Sequence, residues 1–127
     1  MDAYIPCHNC GGFYLPGKEK TYIAQPYEIL KIVVIQNYCH FYFKKGTKVC
    51  AELSLKTANR LLDPEIFFKV NKSMMVNLEE TCAICKQNFD FRMKLNNGEI
   101  VKLSRFNYLK LIYLKHIYPD LLKHLKC

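Results

Sequence analysis

From Phe89 to Asn96 the chain alternates strictly, with Phe89, Phe91, Met93 and Leu95 apolar and Asp90, Arg92, Lys94 and Asn96 polar. That two-residue period belongs to a half-buried strand. Asn96-Asn97-Gly98 interrupts it, and the return strand carries Val101 and Leu103 on one face. Pairing Met93 with Val101 and Phe91 with Leu103 requires a three-residue loop, because a two-residue loop would set Val101 against Lys94. The pattern therefore predicts a type I turn with Gly98 left-handed in a bulge. This register delivers Ser104 and Arg105 to the end of the return strand. Phe106, Leu109, Ile112, Tyr113 and Ile117 follow at helical spacing, so a helix is expected near 105–117, with Ser104 as its cap and those five residues as its apolar stripe.

Elsewhere the pattern is mostly of short strands. Gly12 to Leu15 and Thr21 to Gln25 flank a turn at Pro16–Lys20 and read as a hairpin. Ile29 to Ile35 is apolar on both faces and β-branched, as in a central buried strand. After a polar break at Gln36-Asn37, Cys39, Phe41 and Phe43 form a core face. Tyr38, His40, Tyr42 and Lys44 form the opposite face, suited to solvent or to a contact. Leu55, Ala58, Leu61 and Leu62 predict a helix near 54–62, capped by Ser54 and ended by Asp63-Pro64. From Ile66 to Leu78, aromatic and aliphatic residues bracket a polar island, Asn71-Lys72-Ser73. An amide, a cation and a hydroxyl held on an apolar anchor suit phosphate or base-edge contacts. The fold class expected is mainly β with short helices.

Charge narrows the partner. The 127 residues carry a formal charge of +8, which favours polyanions. The excess is uneven: Lys31, Lys44, Lys45 and Lys48 lie between Ile29 and Ala51 with no acid, and from Val101 onward Lys102, Arg105, Lys110, Lys115, Lys123 and Lys126 face only Asp120. Arg105 in the first turn of a helix opposes the helix dipole, which suits a residue placed there for an anion or a base. The longest apolar run, around Ile32 to Ile35, is too short for a membrane span, and no secretory signal is visible, so a cytoplasmic location is expected. Seven cysteines without an export signal point to reduced thiols.

Cys7, Cys10, Cys82 and Cys85 form two Cys-x-x-Cys pairs that could hold zinc in a zinc-stabilised or RNA-binding module, with Tyr38 and Tyr42 as stacking platforms. Against a metal, the pairs stand far apart, and an extended chain over 80–86 would turn Cys82 and Cys85 to opposite faces of a strand. No cofactor is expected. The scattered histidines (His8, His40, His116, His124), with no acid pair and no phosphate-binding glycine loop, also argue against an enzyme and a small-molecule substrate.

Phe67-Phe68-Lys69-Val70-Asn71-Lys72-Ser73-Met74-Met75-Val76-Asn77-Leu78, followed by Leu95-Asn96-Asn97-Gly98-Glu99-Ile100-Val101-Lys102-Leu103-Ser104-Arg105, resembles the LytTR family of bacterial DNA-binding domains. The resemblance spans 12–117, leaving an N-terminal extension (1–11) and a tail (118–127), either of which could support a homodimer on DNA. It implies an elongated arrangement of small antiparallel sheets that lays loops into successive major grooves of a direct-repeat site. It further implies a transcriptional regulator of double-stranded DNA, and because the sequence has no room for the receiver domain that many relatives carry, a stand-alone one is expected. Contacts would fall to Asn71, Lys72 and Ser73, to Ser104 and Arg105, and to the turn and strand start at Asn37, Tyr38 and His40. The family more often has His-Arg where this chain has Asn71-Lys72, which leaves the target sequence open because lysine lacks arginine's planar fork.

Overall fold

The computed structural model describes residues 13–16, 21–63, 66–88 and 90–120. The expected turn at 17–20, the first Cys-x-x-Cys pair and the tail from Leu121 lie outside the described residues. Among these residues ten strands form three antiparallel sheets. β1 (Phe13–Pro16) and β2 (Thr21–Ala24) make the opening hairpin. A five-stranded sheet is built from β3 (Ile29–Ile35), β4 (Tyr38–Phe43), β5 (Lys48–Ala51), β6 (Phe67–Asn71) and β7 (Met74–Asn77), in the order β5-β4-β3-β7-β6. The third sheet joins β8 (Thr81–Gln87), β9 (Asp90–Leu95) and β10 (Ile100–Leu103) in the order β10-β9-β8. Two α-helices lie among the described residues, α1 (Leu55–Leu61) and α2 (Arg105–Ile117).

Strand β3, apolar except for Lys31, lies at the centre of the five-stranded sheet and contributes to a core on each face. On one face Ile29 and Ile32 join Cys39, Phe41, Val49, Phe67 and Met75, closed over by Leu15, Ala24 and Ala58 from the hairpin and α1. On the other face Leu30, Phe68, Val70 and Val76 meet Phe91, Met93, Leu95, Val101 and Leu103 of the three-stranded sheet and Leu111 of α2. The five-stranded sheet is thus a middle layer with a core on each side. Asn77 is buried in it, its amide donating to Ile29 O at 2.9 Å and accepting from Glu79 N at 2.9 Å, so it closes a turn. β5, four residues long, was not singled out by the alternation pattern.

The register expected for the last hairpin is the one observed: Val101 pairs with Met93 and Leu103 with Phe91. Gly98 N donates to Leu95 O at 2.9 Å and Gly98 has φ +92°, the left-handed conformation that glycine adopts freely. Both helix caps are also as expected. The Ser54 hydroxyl accepts from Thr57 N at 3.1 Å, and that of Ser104 accepts from Asn107 N at 3.3 Å. The stripe assigned to α2 is a correction. Phe106, Leu109, Ile112, Tyr113 and Ile117 are all exposed, and the helix instead turns Tyr108, Leu111 and Leu114 inward. Two apolar stripes share this helix, and its rotation is set by the cap. Ser104 fixes where α2 leaves β10, which stacks Tyr108 on Phe91 with ring centroids 4.0 Å apart and buries Leu111 completely. Burying that leucine contributes about 1.5–3 kcal/mol. No helix among the described residues is long and apolar enough to cross a membrane.

Candidate nucleic-acid interface

Antiparallel pairing decides which turns meet. β3 runs antiparallel to both β4 and β7, so its C-terminal end, the Gln36-Asn37 turn and the first residues of β7 share one end of the sheet. Val34 N donates to Ser73 O at 2.8 Å across that junction. β6 also ends there, and Ser104 N donates to Val70 O at 2.9 Å, bringing the start of α2 to the same end. Three of the sequence-predicted segments, at Asn37-Tyr38, Asn71–Ser73 and Ser104-Arg105, therefore line one end of the sheet, two of them directly hydrogen-bonded to their neighbours. We refer to it as the open end.

The side chains at this end divide into those held and those free. Asn71 is held: its Oδ1 accepts from Ser73 N at 3.0 Å and from the Ser73 hydroxyl at 3.2 Å, while its Nδ2 donates to Lys102 O at 2.9 Å. That amide closes the β6–β7 turn and bolts it to β10. Ser104 is held as the α2 cap, its hydroxyl also accepting from Asn107 Nδ2 at 2.8 Å. Lys72 and Arg105 are exposed, and neither has an ion-pair partner among the described residues. Asn37 is exposed and Tyr38 half-buried, next to Gln36, whose φ of 56° makes the turn a sharp one.

His40 stands apart from this group, two residues further along β4 and half-buried. Its Nδ1 lies 3.2 Å from Cys50 Sγ, a cross-strand neighbour on β5. Desolvation, and secondarily the charge of Lys48, push its pKa below the usual 6.5. It is therefore a neutral imidazole near pH 7. Two further cations that the sequence reading did not assign to the contact, Lys69 and Lys102, are both exposed on strands that end here. Their signal was available: each lies between buried neighbours, Phe68 and Val70 or Val101 and Leu103, so alternation alone turns it outward.

The features of the rival module fare differently. Lys31 Nζ lies 4.7 Å and Lys48 Nζ 6.0 Å from the Tyr42 ring centroid, so cations already occupy the ring faces that a stacked base would need. Cys82 is half-buried, with its thiol directed at Leu95 O at 3.7 Å, and Cys85 is exposed on the same strand. Among the described residues no group of three or more His, Cys, Asp or Glu side chains is arranged to hold a metal ion.

A family model of the LytTr DNA-binding domain matches residues 19–115. No curated protein matches the chain. Among solved structures, the fold is similar to that of the LytTr DNA-binding domain of a putative methyl-accepting/DNA response regulator from Bacillus cereus. That match has a TM-score of 0.70 at 16% sequence identity and covers 90% of this chain and 97% of the other.

Proposed function

The chain belongs to the LytTR family of DNA-binding domains, and from that premise we propose that it is a sequence-specific transcriptional regulator of duplex DNA, acting by binding and not by catalysis. The open end of the five-stranded sheet is the reading surface. Lys72 and Arg105 contact guanine edges or clamp phosphates, and Ser73 and the Asn37-Tyr38 turn reach the flanking backbone. Asn71 and Ser104 hold the two principal segments in fixed relation, so that both engage one duplex. Copies bind a direct repeat, each placing its turns in the major groove, with pairing of two copies on DNA as the functional unit.

The observation that supports this reading best is the coupling at the open end: two segments some thirty residues apart are joined by the Asn71–Lys102 and Ser104–Val70 hydrogen bonds, 2.9 Å each, beside two unpaired cations. A salt-titrated binding assay on a duplex selected from random sequence tests it. Lys72→Ala is expected to cost about 1–3 kcal/mol if it reads a base, or to reduce the salt slope by about one if it clamps a phosphate. Unchanged affinity, slope and sequence preference would remove Lys72 from the surface. Single-stranded RNA outcompeting the selected duplex would overturn the reading as a whole.

A further inference from the structure

We propose that the outward face of α2 is a docking surface for an acidic amphipathic segment of a partner protein. Phe106, Leu109, Tyr113 and Ile117 recur at the spacing of one helical face and are 73%, 57%, 65% and 50% exposed. Singly exposed apolar residues are ordinary on protein surfaces, but four large ones in a row along one helix mark a contact. α2 cannot turn them inward, because Tyr108, Leu111 and Leu114 already fill its inward side.

Charge selects the occupant. Arg105 and Lys110 flank the outward stripe on either side, and the helix from Arg105 to Ile117 carries no acid. A second copy would bring the same cations to the same face, and like charges brought together across an interface repel. The segment 121–127 has two lysines and no acid, and the first twelve residues contain a single acid, Asp2. DNA supplies the negative charge but no apolar surface to cover Phe106 and Tyr113. What fits both features is a helix with an apolar stripe bordered by Asp or Glu, laid along α2. Because α2 begins at Arg105, such a partner would sit beside the bound duplex, which suits recruitment of another protein to the site.

The test uses the full chain, labelled with 15N, and two synthetic helical peptides of equal length that share a leucine stripe, one bordered by glutamates and the other by lysines. The glutamate peptide is expected to shift the backbone resonances of Phe106, Leu109, Tyr113 and Ile117, and the lysine peptide to leave them in place. Lys110→Glu should weaken the glutamate peptide several-fold and admit the lysine peptide, while Leu109→Ser should abolish binding of both. Both residues are exposed and lie outside the proposed reading surface, so folding should be retained in both variants and DNA sequence preference unchanged. Failure of the glutamate peptide to bind, or equal binding of the two peptides, overturns the proposal. It is equally overturned if sedimentation shows a dimer that Leu109→Ser converts to monomer, or if Leu109→Ser chiefly moves resonances of 121–127.

Discussion

The two ends of the five-stranded sheet use the same residue type in opposite ways. At the end where β3 begins, Lys44 Nζ meets Glu80 at 3.4 Å, Lys45 meets Glu28 at 3.4 Å, and Lys31 is paired with Glu99 from the β9–β10 turn. Two of these pairs, those of Lys31 and Lys44, tie the five-stranded sheet to the three-stranded one. At the open end, the stretches 33–39, 69–75 and 102–108 contain Lys69, Lys72, Lys102 and Arg105 and no acid. The nearby acid on β9, Asp90, lies 4.0 Å from Arg92. A run of lysines in sequence therefore does not locate a polyanion site. The proposed site rests instead on the cations that have no carboxylate partner among the described residues once the chain has folded, since these keep an outward potential.

The largest expected effect tests that difference directly. Arg105→Ala should lower affinity for the selected duplex by about 1–3 kcal/mol and relax preference at one base position. Lys44→Ala, at the other end, should leave affinity unchanged when both proteins are measured at the same salt concentration. Equal losses in the two variants would mean that only bulk charge matters, and the contrast between the ends would carry no function.

Asn71→Ala comes next. Its amide makes three internal hydrogen bonds, each contributing about 0.5–1.5 kcal/mol when fully formed and less at an exposed site. A loss of roughly 1 kcal/mol in denaturant-measured stability is expected, with DNA affinity falling alike for all sequences because the β6–β7 turn loses its tie to β10. Reselection of the target from random duplexes separates the alternatives. A preference relaxed at a single position would show that Asn71 reads a base itself, whereas a uniform loss marks it as the holder of the turn.

These cases show what the sequence could and could not reveal. Strand positions were legible wherever one face is buried, because alternation fixes register. Val101 opposite Met93 followed from apolar matching alone, and Gly98 from the loop length that this matching required. The central β3 was legible from its β-branched apolar run, which only Lys31 interrupts. The rotation of α2 was not, since Phe106-Leu109-Tyr113-Ile117 and Tyr108-Leu111-Leu114 are both acceptable apolar stripes and only the exit from β10 chooses between them. β5 was missed because Lys48–Ala51 is too short to show a period. At the proposed interface, Lys72 and Arg105 are exposed, as residue type and neighbourhood led one to expect. The internal role of Asn71 could not, because its partner Lys102 lies 31 residues away and is reached through a carbonyl oxygen, a group every residue has.

A smaller effect sharpens the contrast from the paired end. The Lys45 side chain is 78% exposed, so its pair with Glu28 is strongly screened by solvent. Lys45→Ala should change stability by no more than about 1 kcal/mol, and DNA affinity should not change at all. A clear affinity loss in this variant, at matched salt, would extend the reading surface to both ends of the sheet.

The smallest effect concerns His40, which lies between the two ends and is held neutral chiefly by desolvation and further by Lys48. Its folded pKa is below 6.5 and its unfolded value is at 6.5, so the unfolded chain takes up the proton first. The stability contributed by the neutral ring is therefore complete above pH 6.5 and is lost as pH falls through the folded value. In the free protein His40→Gln should flatten this slight acid-side decline, as followed by chemical denaturation between pH 5 and 7. Bound DNA would act with the opposite sign if the ring reaches a phosphate, because the nearby anion favours the protonated form. Affinity would then rise on acidification in the unsubstituted protein and not in His40→Gln. Parallel pH profiles for the two proteins would place His40 outside the DNA contact and confine the reading surface to the turns at the sheet end.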